Sequence, residues 1–562
     1  MRIAVAGDEP RYTTTEQLRL ERELLDRARD RLHAHVGRAR ADLIEEAIAR
    51  RSLSGEQAEL VPALTSSGAG IEVVRAPAGA GKTFALDAAR EAWTRSGIDV
   101  VGCALSARAA AELREQAAID ATTVARLRRA LDRGHRLGYR GVVVVDEAGM
   151  VGTRELAELA RHADDRGAKL VLVGDDRQLP EIEAGGAFRA LAERQGALEL
   201  REVRRQREAW DREALSELRE GRPEKWAREY AARDRLVTAP TTPALRARLA
   251  DDWWASRERG DDALMVALRR RDVADLNQLG RERMRAAERL RGEDVELGPR
   301  SFAVGDRVVL ARNDRDLDVV NGERGEVRAV SASEISLRLD RGRDVRLPAS
   351  YAGEHLDHGY AMTAHRVQGA TVDRTFVLGS DETYREWGYT ALSRHRDSAH
   401  FYVTAPAPFL NRPAQSLQDK QELVDTIVRT FEDSRKQELA LEAVERDPHV
   451  AHVLRELDRA REHARADERR IQTLRDERQQ TPWYRRAPRR DLGQALETSE
   501  RAVANGAGRV DELREDVERL IGTPRPLPEG RPAREVLAHA AWLDRGRALT
   551  RDAHDVGLGI DR

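Results

Sequence analysis

Cysteine, lysine, aromatic residues and long apolar runs are all scarce in this chain, and each shortage closes off a class of protein. Cys103 is the only cysteine, so one chain can build neither a disulfide framework nor a cysteine-based zinc site. No stretch approaches the roughly 18 apolar residues of a membrane span, and the short apolar patch at the N-terminus lacks a signal-peptide core. The expectation is a soluble, cytoplasmic protein. The net charge of −2 provides no global basic field for a polyanion, although a local groove suffices to bind one. The only lysines are Lys82, Lys169, Lys225, Lys420 and Lys436. So strong an arginine bias reflects a GC-rich genome, and it means that Lys82, inside a Gly-rich loop, is not simply the default cation.

What is present points to several domains. The 562 residues suggest about three or four, at roughly 150 residues each. Hydrophobic content of 40% permits packed cores, and charged content of 35% implies long, solvated helices. Residues 12–50 read as helix, opening at Tyr12-Thr13-Thr14-Thr15-Glu16 with Leu18, Leu20, Leu24 and Leu25 near helical spacing. From about 53 to 410, short β-rich runs at 71–74, 142–145, 170–173 and 376–378 alternate with helical segments. Such alternation means parallel sheets covered by helices. Within this region, 302–310 reads as a strand after a turn, and Asn321-Gly322 with 323–327 as a hairpin. Residues 300–350 thus form a small all-β insertion in an α/β domain. Residues 415–520 are helical and charged, broken at Thr481-Pro482-Trp483. They fit a solvated helical hairpin or a partner-binding coiled coil. The segment after Pro524-Arg525-Pro526-Leu527-Pro528 reads as a linker with a weak helix.

The chemistry concentrates in three motifs. Ala76-Pro77-Ala78-Gly79-Ala80-Gly81-Lys82-Thr83 follows a predicted strand and precedes a predicted helix, the context of a phosphate-binding P-loop. Small residues let backbone N–H groups close on phosphates, aided by the helix N-terminus. Lys82 would reach the β- and γ-phosphates of ATP, and the Thr83 hydroxyl would ligate Mg2+. The strict pattern has Gly at position 76, where this chain has Ala. A buried-type strand then ends in Asp146-Glu147, in the crevice where α/β sheets bind ligands. Asp146 would hold the metal and Glu147 would activate water. After the next strand comes Gly174-Asp175-Asp176-Arg177-Gln178-Leu179-Pro180, whose Gln178 can sense the γ-phosphate.

These motifs, in this order, resemble the RecD-like branch of superfamily 1 helicases, and more closely the helicase half of MobF-class conjugative relaxase-helicases (the TraI and TrwC type). The resemblance runs from about Tyr12 to Ala405. Leu53-Ser54-Gly55-Glu56-Gln57 is similar to the adenine-reading Q motif, with Gln57 on the base; Pro77, Ala78, Gly79, Ala80 and Gly81 complete the nucleotide contacts. Ala104 to Ala110 resembles motif Ia and Thr122-Thr123-Val124 motif Ib. Val203-Arg204-Arg205-Gln206 is similar to motif IV, with Arg205 on the γ-phosphate. Residues 360–371 resemble motif V. Tyr389-Thr390-Ala391-Leu392-Ser393-Arg394 resembles motif VI, with Arg394 as arginine finger. Asn321-Gly322-Glu323-Arg324-Gly325 matches the family's SH3-like barrel insertion.

The resemblance implies an N-terminal helical segment (1–52), a first RecA-like domain (53–200) and a second in two parts (201–299 and 356–410) around an SH3-like insertion (300–355). A charged helical tail (411–562) follows. It further implies a single-stranded DNA translocase or helicase, 5′-to-3′, with DNA held by Ser106, Thr123, Thr363 and His365. Relaxosome or conjugation-channel proteins would dock on the tail. Trp210, Trp387 and Tyr389 are candidates for base stacking, though each also fits a core. The family's relaxase is not matched: His33-Ala34-His35 lies in a charged run read as helix, where i and i+2 point apart. The expectation is a stand-alone module or a truncated relaxase. Residues 125–140 read as helix where relatives insert a strand-separating pin, so translocation is better supported than unwinding. A RecD-like repair helicase and an inactive, relaxase-derived interaction protein remain as alternatives.

Overall fold

A computed structural model describes residues 2–6, 9–181, 184–404, 417–445, 448–482 and 485–522. Two compact units result, one from Leu24–Gln437 and one from Met1–Glu23 with Glu438–Ala533.

The larger unit holds two lobes, each built on a parallel sheet. The first sheet has the order Asp120–Thr123, Val100–Ala104, Val142–Asp146, Lys169–Gly174, Ile71–Arg75, Leu198–Glu199, every pair parallel. Its two central hydrophobic strands, VVVVD and KLVLVG, are buried throughout, as strands covered by helices on both faces must be. The second sheet runs Ala361–Thr363, Ala263–Ala267, Val372–Leu378, His395–Thr404, Leu236–Ala239, again all parallel. In both, the crevice at the carboxyl ends of the strands is where the candidate motifs emerge. Met150 and Leu179 of the first lobe share one apolar cluster with Leu215, Leu218 and Trp387 of the second, so the lobes meet through a dry contact beside those motifs.

The all-β insertion is an antiparallel five-stranded sheet in the order Asp344–Pro348, Glu334–Leu339, Arg324–Val330, Arg307–Leu310, Leu356–His358. Phe302, Val308, Val327, Ile335 and Leu347 fill its core. Two details differ from the sequence reading. Residues 302–310 form two strands, Arg300–Val304 and Arg307–Leu310, because Gly305 at φ 96° turns the chain between them. Asn321-Gly322 precedes a strand but is no two-residue hairpin turn, since its strand pairs back to Arg307–Leu310 across the whole segment 311–323.

Three further expectations need correction. Residues 12–50 are not one helix: a hairpin of Arg2–Ala6 and Glu9–Tyr12 comes first, then helices Thr15–Asp30 and Ala41–Ala49. His33 and His35 lie between those helices, His35 at φ 53°, so the i, i+2 helical argument does not apply to them. The helix predicted over 125–140 spans only Val124–Asp132. The tail does not begin at 411. Helix Leu417–Glu432 packs Leu423, Val424, Ile427, Val428 and Phe431 into the core of the second lobe, because its apolar face matches the surface around Trp226 and Phe401.

The smaller unit contains helices Ala440–Glu445, Pro448–Gln480 and Arg486–Gly522. The last two form the expected hairpin; Trp483 of the expected break and the segment after Gly522 lie outside the described residues. Glu21, 1% exposed, accepts from the backbone N–H groups of Ala440 and Leu441 and so caps the short helix with a carboxylate from the N-terminal segment. Among the described residues no helix is long and apolar enough to cross a membrane.

Candidate active site

Strand Ile71–Arg75 feeds the loop 76–81, and helix Lys82–Arg95 starts directly after it. Gly79 and Gly81 hold left-handed backbone, φ 88° and 73°, and close approach gives each a second reason to lack a side chain. A Cβ on Gly81 would lie 2.4 Å from Gln57 Nε2, and one on Gly79 2.7 Å from the Cβ of Arg205. Ala76 replaces the glycine of the strict pattern without cost: it is buried in ordinary backbone geometry, its N–H donating to Gly174 O at 2.8 Å. The loop is therefore a backbone cradle at a helix N-terminus, suited to an anion.

Lys82, Asp146 and Glu147 converge on it. Lys82 Nζ donates to Asp146 Oδ1 at 2.5 Å and lies 3.6 Å from Glu147 Oε1. Burial works against the ammonium, but the two carboxylates outweigh it and hold its pKa above the ordinary lysine value. Asp146 is 6% exposed. Burial pushes its pKa up, Lys82 pulls it down, and the net shift is upward. Glu147 sits at φ 57°, strained for a residue with a side chain, at the place where the strand ends and the chemistry begins. Thr83 occupies the first turn of the helix, half-buried.

The second lobe reaches across to Glu147, to Gln178 and to the loop at Gly79. Gln368 Nε2 donates to Glu147 Oε2 at 2.6 Å. Gln178 Nε2 donates to Asp175 Oδ2 at 3.1 Å, while its Oε1 accepts from Arg394 Nη2 at 3.3 Å. Arg394, 1% exposed, is steadied by Nε donating to Thr390 O. Arg205 Nη1 donates to Ser393 O at 2.9 Å, and the Arg204 N–H donates to Gly79 O at 3.0 Å. Burial lowers the pKa of both guanidinium groups; in Arg205 the charge of Arg394 adds to it and brings the value to about 9. Two dry, like-charged arginines lose that penalty when an anion arrives between them.

Gln57 is brought to the loop, but not in the expected way. Its Oε1 accepts from the Ser54 N–H, its N–H donates to Ser54 Oγ, and its Nε2 donates to the carbonyls of Ala80 and Gly81. The amide thus caps helix Gly55–Ser66 and braces the cradle, which leaves it no free edge for a base. Ser54-x-x-Gln57 has capping-box spacing, a signal legible in the sequence alongside the motif. Of the DNA candidates, Ser106 and Thr123 are N-caps, their hydroxyls accepting from Ala109 and Arg126 N–H. Thr363 closes strand Ala361–Thr363 and exposed His365 follows it. No contact among the described residues joins these four. Trp387 and Tyr389 are buried, and Trp210 is covered by Arg233 and Arg235, so none of the three is free to stack a base. Sequence reasoning assigned no role to Gln368, nor to Arg219, whose Nη2 lies 2.8 Å from Asp175 Oδ1. Both work through partners far away in the chain, which spacing cannot reveal.

Comparison with known proteins gives the following likenesses. Residues 52–241 match the family described as "AAA domain", and residues 323–403 that described as "Viral superfamily 1 RNA helicase core domain". The chain is 38% identical over 408 residues to a probable conjugal transfer protein TraA of Sinorhizobium fredii, covering 70% of this chain and 36% of that protein. It is 35% identical over 463 residues to a conjugal transfer protein TraA of Rhizobium radiobacter, covering 80% and 42%. It is 29% identical over 429 residues to the ATP-dependent RecD2 DNA helicase of Deinococcus radiodurans, covering 70% and 55%. The chain thus spans less than half the length of these TraA proteins.

Proposed function

We propose that this chain, which carries superfamily 1 helicase domains of the RecD-like kind, homologous to those of TraA and RecD2 proteins, is an ATP-driven motor on single-stranded DNA that serves conjugative transfer. The two lobes are its RecA-like domains, and the antiparallel sheet is its SH3-like insertion. One observation carries the reading: Gln178–Arg394 and Glu147–Gln368 bridge the lobes at the Lys82 cradle. A γ-phosphate there would be gripped from both sides, and its loss would release the second lobe.

In this reading residues 77–83 hold the phosphates, Lys82 neutralises the transferring group, and Glu147 takes the proton of the attacking water. Arg205 and Arg394 supply positive charge from the facing lobe, which can be worth about 10³–10⁵ in rate. A magnesium ion at such a site would bring phosphate oxygens with it as ligands. Asp146 and Thr83 would hold that ion. When bound, it would offset charge on the β- and γ-phosphates. The breathing of the lobes would move DNA past Ser106, Thr123, Thr363 and His365. The 5′-to-3′ direction and docking of relaxosome or channel proteins on the helical hairpin belong to the same proposal. The higher identity to TraA than to RecD2 favours transfer over repair.

The test is ATPase activity with and without single-stranded DNA, followed by strand displacement on duplexes tailed at either end. Stimulation by DNA and displacement from a 5′ tail are expected. An ATPase rate indifferent to DNA would overturn the DNA-motor reading, and no turnover with or without DNA would leave the inactive, relaxase-derived interaction protein as the better account.

A further inference from the structure

Beside the phosphate loop lies a cavity that shares Pro77 and Ala78 with the proposed phosphate site but extends beyond it. Its volume is about 440 Å³, and Pro77 and Ala78 of the loop form one wall. Gln206 and Ser393 form another. Ser393 O is the atom to which both Arg205 Nη1 and Gln206 Nε2 donate, and Ser393 Oγ accepts from Arg394 Nη2. Ser393 thus lines the cavity and holds the two arginines at once. Helix Ala209–Arg219 of the second lobe with the turn after it forms a further wall, and the ends of strands Ile71–Arg75 and Leu198–Glu199 contribute Arg75 and Glu199.

The lining is cationic. Arg75, Arg177, Arg201, Arg212, Arg219 and Arg222 face three carboxylates, Asp176, Glu199 and Glu220. Most of these arginines are paired: Arg75 with Asp176, Arg177 with Glu220, Arg201 with Glu199, Arg219 with Asp175, Arg222 with Glu217. Arg212 is different. Its Nη1 donates only to the backbone carbonyls of Gln206 and Arg207, and no carboxylate among the described residues lies within ion-pair distance. An arginine whose charge meets only carbonyl dipoles, on the wall of a polar chamber, is available to a mobile oxyanion.

We propose that this cavity receives the inorganic phosphate set free by ATP cleavage and conducts it to solvent past Arg212. The proposal rests on the ATPase reading above. When the γ-phosphoryl group has been transferred to water, the product is a compact oxyanion held by Arg205 and Arg394. Nucleoside diphosphate still occupies the loop, whereas the cavity beside it offers the guanidinium of Arg212. Departure of phosphate through the second lobe's own helix would tie product release to the parting of the lobes, the step that often limits motors of this kind.

The test compares chemistry with release in the full chain on single-stranded DNA. Quenched flow measures cleavage, and a fluorescent phosphate-binding reporter measures free phosphate. Ser216, exposed on the cavity-lining helix, allows a blocking substitution that leaves the core alone. S216W should leave the cleavage transient unchanged and slow phosphate release by roughly tenfold. R212Q should slow release by about threefold by removing the guiding charge. Release that keeps pace with cleavage in both variants overturns the proposal, as does a parallel fall of cleavage and release. If wild-type protein cleaves no ATP at all, the motor reading fails, and inorganic phosphate alone tests the cavity by titration calorimetry. Binding weakened about tenfold in R212Q, roughly 1.4 kcal/mol, would support the cavity, and equal or absent binding would overturn it.

Discussion

At the scale of single residues, the site is a set of charges buried at a cost that only a ligand or a partner offsets. Lys82 is the clearest case, its ammonium held charged by Asp146 and Glu147. In K82A we expect DNA-stimulated ATPase to fall by about 100-fold or more, with the circular dichroism of the fold unchanged; normal turnover in that variant would remove the P-loop from the chemistry. Asp211 shows the same logic used for stability. Its side chain is 1% exposed and takes hydrogen bonds from Tyr230 Oη, Arg235 Nη1 and His395 Nε2. Burial opposes its charge, but His395, Tyr230 and Arg235 prevail and hold its pKa below the usual carboxylate range. A carboxyl lowered in the folded state stabilises the fold above its unfolded value of roughly 3.9 and loses that contribution as pH falls through the folded value. D211N should therefore cost about 3 kcal/mol at pH 7, and denaturant titrations should show the gap to wild type closing as pH falls below the unfolded carboxyl value of roughly 3.9. A gap independent of pH would contradict the assignment.

At the scale of elements, local pattern made some segments legible and hid others. The P-loop strand, cradle and helix could be read because small residues, a buried β run and a helix start coincide within fifteen residues or so of chain. The Val142–Asp146 and Lys169–Gly174 strands could be read because burial on both faces demands unbroken apolar runs. Gln57 went the other way: its position fits both a capping box and the base contact implied by the resemblance, and geometry gives it to the cap and the loop carbonyls. Helix Leu417–Glu432 was hidden in the charged tail, since composition does not say which apolar stripe finds a partner. Its docking rests on Gly388, where a Cβ would lie 2.1 Å from Phe431 Cε1 and 2.8 Å from Cζ. G388A should destabilise the second lobe by about 1–3 kcal/mol and raise hydrogen exchange across 417–432 before other segments. Unchanged exchange there would mean that the ring yields freely.

At the scale of the whole molecule, the two-unit division predicts where the chain can be cut. A protein ending at residue 437 keeps Leu423, Ile427 and Phe431 in the second lobe and should unfold cooperatively with ATPase intact. One ending at residue 416 exposes those partners of Trp226 and Phe401, each about 1.5–3 kcal/mol of burial, and should express as aggregate or unfold many degrees lower. Equal melting of the two would place the boundary back at 411. The sequence by itself determined the phosphate cradle, the carboxylates beside it and the alternation that makes parallel sheets, because these depend on neighbours close in the chain. Only the tertiary structure decided which distant groups meet: Gln368 with Glu147, Arg219 with Asp175, the N-terminal Glu21 with the helix at Ala440. Those contacts are set by how sheets and helices stack, and stacking energy is summed over surfaces that no local window of sequence contains.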